Sequence, residues 1–196
     1  MIIETEKKVH WNYFLALESD VENLSRYVEF TEKNYLTYSI EMVRLLLAAC
    51  SEIDVIAKIL CKRVVTGKKP ENMDQYREIL KEKSPYLPEM KILIQRYGLE
   101  TIPWKNWQSD ENPEWWKGYN EVKHERNKYF EHANLKNTLN SIGGLFIFLL
   151  YLYTDDSGKC NLNPIPSLLN IEDAYIDYIH TEGVSYSLPQ KQSDTH

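Results

Sequence analysis

Residues 113–153 read PEWWKGYNEVKHERNKYFEHANLKNTLNSIGGLFIFLLYLY, and the fold class turns on how this stretch divides. Asn112 offers a helix cap, Pro113 suits the first helical position, and Glu114 complements the positive end of the helix dipole. A helix is therefore expected from Pro113 to about Glu131. Asn134 is a second cap and opens another helix through Leu135, Leu139, Ile142, Leu145, Phe146 and Leu149 to Tyr153. The link between the two is very short, as in a helical bundle.

Toward the N-terminus the same periodicity continues. Phe14, Leu17, Val21, Leu24 and Val28 recur at spacings of three and four, which predicts one buried helical stripe between Trp11 and about Phe30. After a break near residues 31–34, Ile40, Val43, Leu46, Leu47, Cys50, Ile53, Ala57, Leu60, Cys61 and Val64 share a face, with Gly67 as the stop. A shorter helix is expected from Asn72 to Lys83, because Pro85 disfavours helical geometry at Ser84. Residues 88–97 suit a further turn or helix. Residues 98–112 carry Pro103, Trp104 and Trp107 among polar neighbours and read as an ordered, Trp-rich loop whose strand content the sequence leaves open.

Beyond Tyr153 the chain reads TDDSGKCNLNPIPS, a turn-rich exit. A segment around residues 168–179 suits a short helix or an extended strap, and the closing VSYSLPQKQSDTH reads as frayed. The expectation is an all-α, up-and-down bundle of four to five main helices. It forms one domain over residues 1–155, with residues 156–196 as a partly packed, peripheral C-terminal tail.

Composition agrees with this reading. A 196-residue chain that is 43% hydrophobic, with 7 glycines and 8 prolines, has material for one core and few breakers for a β-sandwich or barrel. A net charge of −6 excludes a globally basic coat for duplex DNA but not a local positive groove. Residues 1–14, MIIETEKKVHWNYF, lack the continuous apolar stretch of a secretory signal. Cys50, Cys61 and Cys160 have no metal-ligand spacing, and the first two lie about 16 Å apart along one helix, too far to bridge. A reduced, cytoplasmic protein with no cofactor is expected. The apolar run Ile142 to Tyr153 is shorter than the roughly 18 to 20 residues that span a bilayer, so it reads as a core helix rather than a membrane segment.

Two charges break their own amphipathic patterns. At about 100° per residue, Arg126 falls about 20° from Trp115, inside the stripe of Trp115, Tyr119, Val122, Tyr129 and Phe130. Asp54 falls about 20° from Val43, between Cys61 and Leu47. Buried charges are costly alone and tolerable together, so an Arg126–Asp54 ion pair fixing two helices is one reading. The other is that Arg126 holds a phosphate in a cleft with Asp54 orienting it. Around it, Asn120, His124, Asn127 and Glu131 form a polar stripe, with Lys123 between that stripe and the apolar one. Either His124 or His132 suits acid–base work. His132 is about 120° from Arg126 on a straight helix, but the Asn134 cap places it near the helix end, where the ring can turn back. A second basic cluster, Lys62, Arg63, Lys68 and Lys69, is expected from the helix dipole alone.

Arg126, Asn127, four further residues and then His132, late in a helical bundle, resemble the HEPN superfamily, whose motif is an arginine, usually followed by a polar residue, with four to six residues between the arginine and a histidine. The string WWKGYNEVKHERNKYFEHANLKN also looks like helical HEPN-like proteins of bacterial toxin and phage-defence systems. By architecture the resemblance covers about residues 10–155; the motif itself covers seven. It implies a homodimer that cleaves RNA without a metal, its two motifs meeting in one cleft. His132 would be the acid or base, Arg126 would stabilise the phosphorane, and Asn127 would bind a phosphate oxygen or orient the histidine. Lys123, His124, Asn120 and Asp54 are supporting candidates, and an antitoxin or another protein is the implied regulator. The alternative is a noncatalytic helical module that binds a protein partner or nucleotide through the Leu135–Tyr153 helix and the Trp-rich loop.

Overall fold

The computed structural model describes residues 7–65, 67, 69–181 and 183–189. Five α-helices are present: α1 (Val9–Leu24), α2 (Ile40–Val64), α3 (Met73–Lys83), α4 (Glu114–Tyr129) and α5 (Leu135–Tyr153). Between and after them lie six short strands: β1 (Ile92–Ile94), β2 (Leu99–Thr101), β3 (Lys159–Leu162), β4 (Asn170–Ile171), β5 (Ile176–His180) and β6 (Gly183–Ser187). The all-α expectation is thereby overturned: the protein is mixed, with helices packed beside two three-stranded antiparallel sheets.

α5 is the central element. It packs most extensively on α2 and is flanked by α1 and α4, and it is buried on nearly every side from Ser141 to Leu150. At 19 residues it is longer than its apolar run, and by length and composition it is apolar enough to cross a membrane. Here 78% of its most apolar window is buried inside the protein, so its apolar surface is taken up by α1, α2, α4 and the Trp loop.

The Trp loop is ordered as expected, because its rings enter the core. Trp104 stacks on Phe148 at 4.3 Å and donates its indole N–H to the Gly144 carbonyl at 3.2 Å. Trp115 Nε1 donates to the Pro103 carbonyl at 2.8 Å, which ties the start of α4 to the loop. A side chain at Gly144 would meet both indoles at 3.3–3.4 Å, so this glycine sets how closely α5 approaches them.

The strands escaped the sequence reading because most are two to four residues long, and two of the four pairings, β1 with β4 and β3 with β6, join segments far apart in the chain. β1 pairs with β2 (Ile92↔Thr101) and with β4 (Ile92↔Ile171), in the order β2-β1-β4. The second sheet runs β3-β6-β5, with Cys160↔Tyr186 and Leu162↔Val184 in register. The region beyond residue 155, expected as a peripheral tail, thus supplies four of the six described strands. Val184 to Ser187, read as part of a frayed end, form the middle strand of this sheet, while residues 190–196 lie outside the described residues.

A buried carboxylate fastens this region to the bundle. Glu18 of α1, 2% exposed, accepts backbone N–H bonds from Ser167, Leu168 and Leu169 at 2.9, 3.0 and 2.8 Å. Three backbone donors that would be orphaned before β4 are satisfied by one side chain. The three cysteines are buried and unpaired. Burial pushes the Cys61 thiol up to about 11 and the Cys160 thiol up to about 12.

Candidate functional site

The site region is built where α4 gives way to α5. α4 buries Trp115, Trp116, Gly118, Tyr119 and Val122 and then breaks its geometry at Glu125, whose φ and ψ are −137° and 51°. A helical wheel advances by about 100° per residue only while the dihedrals stay helical. One residue outside that region resets the phase, and Arg126, Asn127 and Lys128 turn to solvent. Arg126 is accordingly exposed, and among the described residues it makes no hydrogen bond or ion pair.

The Arg126–Asp54 pair is absent for a second reason. Asp54 is already engaged by Lys58 Nζ, one helical turn on in α2, at 2.5 Å and by the Tyr76 hydroxyl of α3 at 2.8 Å. Burial and this bond to Asp54 raise the Tyr76 phenol well above its ordinary value. Asp54 therefore fastens α2 to α3 and takes no part at the α4–α5 junction. The i,i+4 spacing of Asp54 and Lys58 was a legible signal for this outcome.

The caps divide in the same way. Asn134 caps α5 as expected, accepting from the Asn137 N–H at 3.0 Å. Asn112 does not cap α4. Its carboxamide accepts from Arg77 Nη1 at 2.7 Å and donates to Asp74 at 3.1 Å, holding the loop against α3.

His132 lies in a 3-10 turn, Phe130–His132, between the two helices. Its Nδ1 is 2.5 Å from Glu121 Oε2, and its ring stacks on Tyr129 with centroids 5.5 Å apart. The Asn137 amide donates to the His132 carbonyl at 2.9 Å, so the first turn of α5 holds the backbone that carries the ring. Gly118 makes this approach possible: a Cβ there would sit 3.0 Å from Asn137 Nδ2 and 3.4 Å from the His132 backbone oxygen. This contact occupies Nδ1 and leaves Nε2 as the ring nitrogen that makes no bond among the described residues. The ring is 37% exposed.

The histidine opens on a cleft of about 220 Å³ whose polar walls include Glu114, Lys117, Glu121, Lys136 and Asn137. Glu114, Lys136 and Asn137 are shared with a larger cleft of about 520 Å³ that continues past Tyr35, Thr101, Trp115 and Asn140. Lys136 Nζ bonds Glu114 at 2.9 Å where the two meet. Neither cleft is lined by Arg126 or Asn127.

Of the expected site residues, His132 alone reaches this cleft. The Lys123 ammonium lies over the Tyr119 ring, 5.3 Å from its centroid. The Asn120 amide donates to the Trp116 carbonyl of its own helix at 3.1 Å. His124 and Asn127 are exposed and make no side-chain bond among the described residues. Of the second basic cluster, Arg63 donates to the Leu152 carbonyl at the end of α5, and Lys68 lies outside the described residues. The surfaces named for a binding module are also consumed: Trp104, Trp107 and residues 142–150 of α5 are buried in the protein's own core.

Glu121, the partner that gives His132 its orientation, was missed. It lies on the face formed by Glu114, Lys117, Gly118 and Glu121, whose spacings of three, one and three mark one side of a helix. The sequence offered that face, but not that the chain would turn back to set His132 against it. Comparisons of the chain with protein-family profiles, characterised proteins and solved structures find no match.

Proposed function

We propose that the protein is a HEPN-like, metal-independent RNA endonuclease acting as a cytoplasmic homodimer, a toxin or phage-defence effector under the control of an antitoxin or similar protein. The observation that carries the reading is the Glu121–His132 pair, which sets a partly exposed imidazole at the mouth of a polar cleft, close in sequence to an arginine that makes no ion pair among the described residues. A carboxylate that fixes one ring nitrogen leaves the other to move a proton, the same division of labour as in other histidine-based sites.

In the reaction, His132 Nε2 takes the proton of the RNA 2′-hydroxyl as its oxygen attacks the adjacent phosphorus. The P–O5′ bond breaks, the 5′-oxygen leaves with a proton taken from water, and a 2′,3′-cyclic phosphate remains. The phosphorane carries more negative charge than the ground state, and an uncommitted guanidinium is suited to stabilise it. Arg126 and Asn127 do not line the cleft of their own chain, so in this reading they serve the cleft of the second copy.

The dimer needs an apolar contact beside the cleft. Leu36, which lines the cleft wall, is 77% exposed, and Ile40 is 80% exposed, with half-exposed Tyr38 between them packed edge-on against Phe130. This segment is held in place by backbone bonds from Leu135 N to Thr37 O at 2.9 Å and from Lys136 N to Tyr35 O at 3.1 Å. The test is cleavage of single-stranded RNA by the purified full chain in EDTA, with cyclic phosphate ends as product and with His132→Ala and Arg126→Ala inactive. Equal activity in both variants would remove the assignment.

A further inference from the structure

Beyond His132, the cleft of about 520 Å³ runs on between the segment that joins α1 to α2, the Trp loop and the first turns of α4 and α5. It shares Glu114, Lys136 and Asn137 with the histidine cleft, and its volume lies in the range of pockets that hold small molecules. Ile102, Pro103, Trp115 and the half-buried Tyr35 ring give it apolar surface.

Most of the polar groups around it are already committed. Lys136 bonds Glu114 at 2.9 Å, and Lys91 lies 3.2 Å from Glu100. Thr101 donates to Asn140, whose own amide donates to the Lys136 carbonyl at 2.8 Å. Two charged side chains of the lining are left over: Glu32 and Lys105 make no hydrogen bond or ion pair among the described residues. The half-buried Asn106 amide is likewise without a side-chain bond among them. Burial and the nearby Glu32 carboxylate raise the Tyr35 phenol above its ordinary value, so its hydroxyl stays a neutral donor.

One unpaired carboxylate and one unpaired ammonium beside apolar rings disfavour a charged ligand, since either sign would meet an opponent as well as a partner. A neutral planar ring with a donor edge and an acceptor edge suits both. Of the four RNA bases, guanine alone sets two adjacent donors, N1–H and N2–H, where one carboxylate can accept both, and two adjacent acceptors, O6 and N7, where a cation can donate. Adenine would turn the lone pair of N1 or N7 toward the carboxylate.

We propose that this cleft is a guanine-recognition subsite, with Glu32 accepting from N1–H and N2–H, Lys105 donating to O6 and N7, and Tyr35 and Asn106 completing the polar contacts. Its place beside the scissile phosphate rests on the ribonuclease reading at His132; the recognition of the base does not.

Calorimetric titration of the full chain with guanosine, inosine, 7-deazaguanosine and adenosine would test it. Guanosine should bind tightest. Inosine lacks the N2 amino group and 7-deazaguanosine lacks N7, so each should bind about tenfold more weakly, and adenosine weaker by about tenfold to a hundredfold. Glu32→Gln should bring guanosine and inosine to within about twofold of each other, and Lys105→Met should do the same for guanosine and 7-deazaguanosine. Both side chains are exposed, so the Tm of each variant should match the wild type. The proposal is overturned if guanosine does not bind, if adenosine binds as tightly, or if both variants keep the wild-type ratios. Guanosine bound by a protein that leaves RNA uncut would keep this subsite and remove the ribonuclease reading. RNA cut by a protein that does not bind guanosine would keep that reading and remove the subsite.

Discussion

Asp54 and Glu121 show how one neighbour decides the role of a carboxylate. Asp54 accepts from Lys58 and Tyr76 and becomes a tie between two helices, whereas Glu121 accepts from a histidine at a cleft. Asp54→Ala strips the buried Tyr76 hydroxyl of its acceptor and should cost about 1–3 kcal/mol in urea unfolding. Asp54→Asn keeps an acceptor there and loses only a partly exposed pair with Lys58, so its cost should stay below about 1 kcal/mol. Equal losses in the two variants would show that Tyr76 does not depend on the bond. At this scale the sequence placed Arg126 in a buried stripe, whereas it is exposed. Its burial was read from a continuous wheel, and no proline or glycine marks the break at Glu125 that ends that continuity.

Among the elements, the helices were legible because their apolar spacing is local and long, and Asn134 marked a real start, whereas α2 ends at Val64 with Val65 extended, three residues before Gly67. The strands were not, since Ile92 to Ile94 carries no alternation and pairs with Ile171, nearly eighty residues further along the chain. β6 is an exception that had a signal: Val184-Ser185-Tyr186-Ser187 alternates directly after Gly183. A side chain at Gly183 would collide with the Leu162 carbonyl of β3, which is why that strand begins on glycine. The Glu18 clamp ties the segment before β4 to α1. Glu18→Ala leaves three backbone donors without their acceptor and should lower unfolding free energy by about 3 kcal/mol or more, measured by denaturant titration. A loss below about 1 kcal/mol would mean that residues 167–169 find other partners at little cost.

For the molecule as a whole, a charge of −6 leaves no general basic surface, so RNA affinity must come from a few cations at one cleft. In the proposed function, a homodimer would meet this by bringing two copies of Arg126 together with two of His132. The exposed Leu36 and Ile40 are the proposed contact, and Leu36→Glu with Ile40→Glu should yield a folded monomer by light scattering and reduce cleavage in parallel. A doubly substituted protein that stays dimeric would move the contact elsewhere. The most direct measurement of the function itself is the rate of single-stranded RNA cleavage in EDTA by wild type, His132→Ala, Glu121→Gln and Arg126→Ala, with end-group analysis. The expected result is cyclic phosphate product, a loss of about 10²- to 10⁴-fold for His132→Ala, and a smaller loss for Glu121→Gln with the fold intact. Wild-type protein that leaves RNA uncut, or variants that cut it equally well, would contradict the assignment.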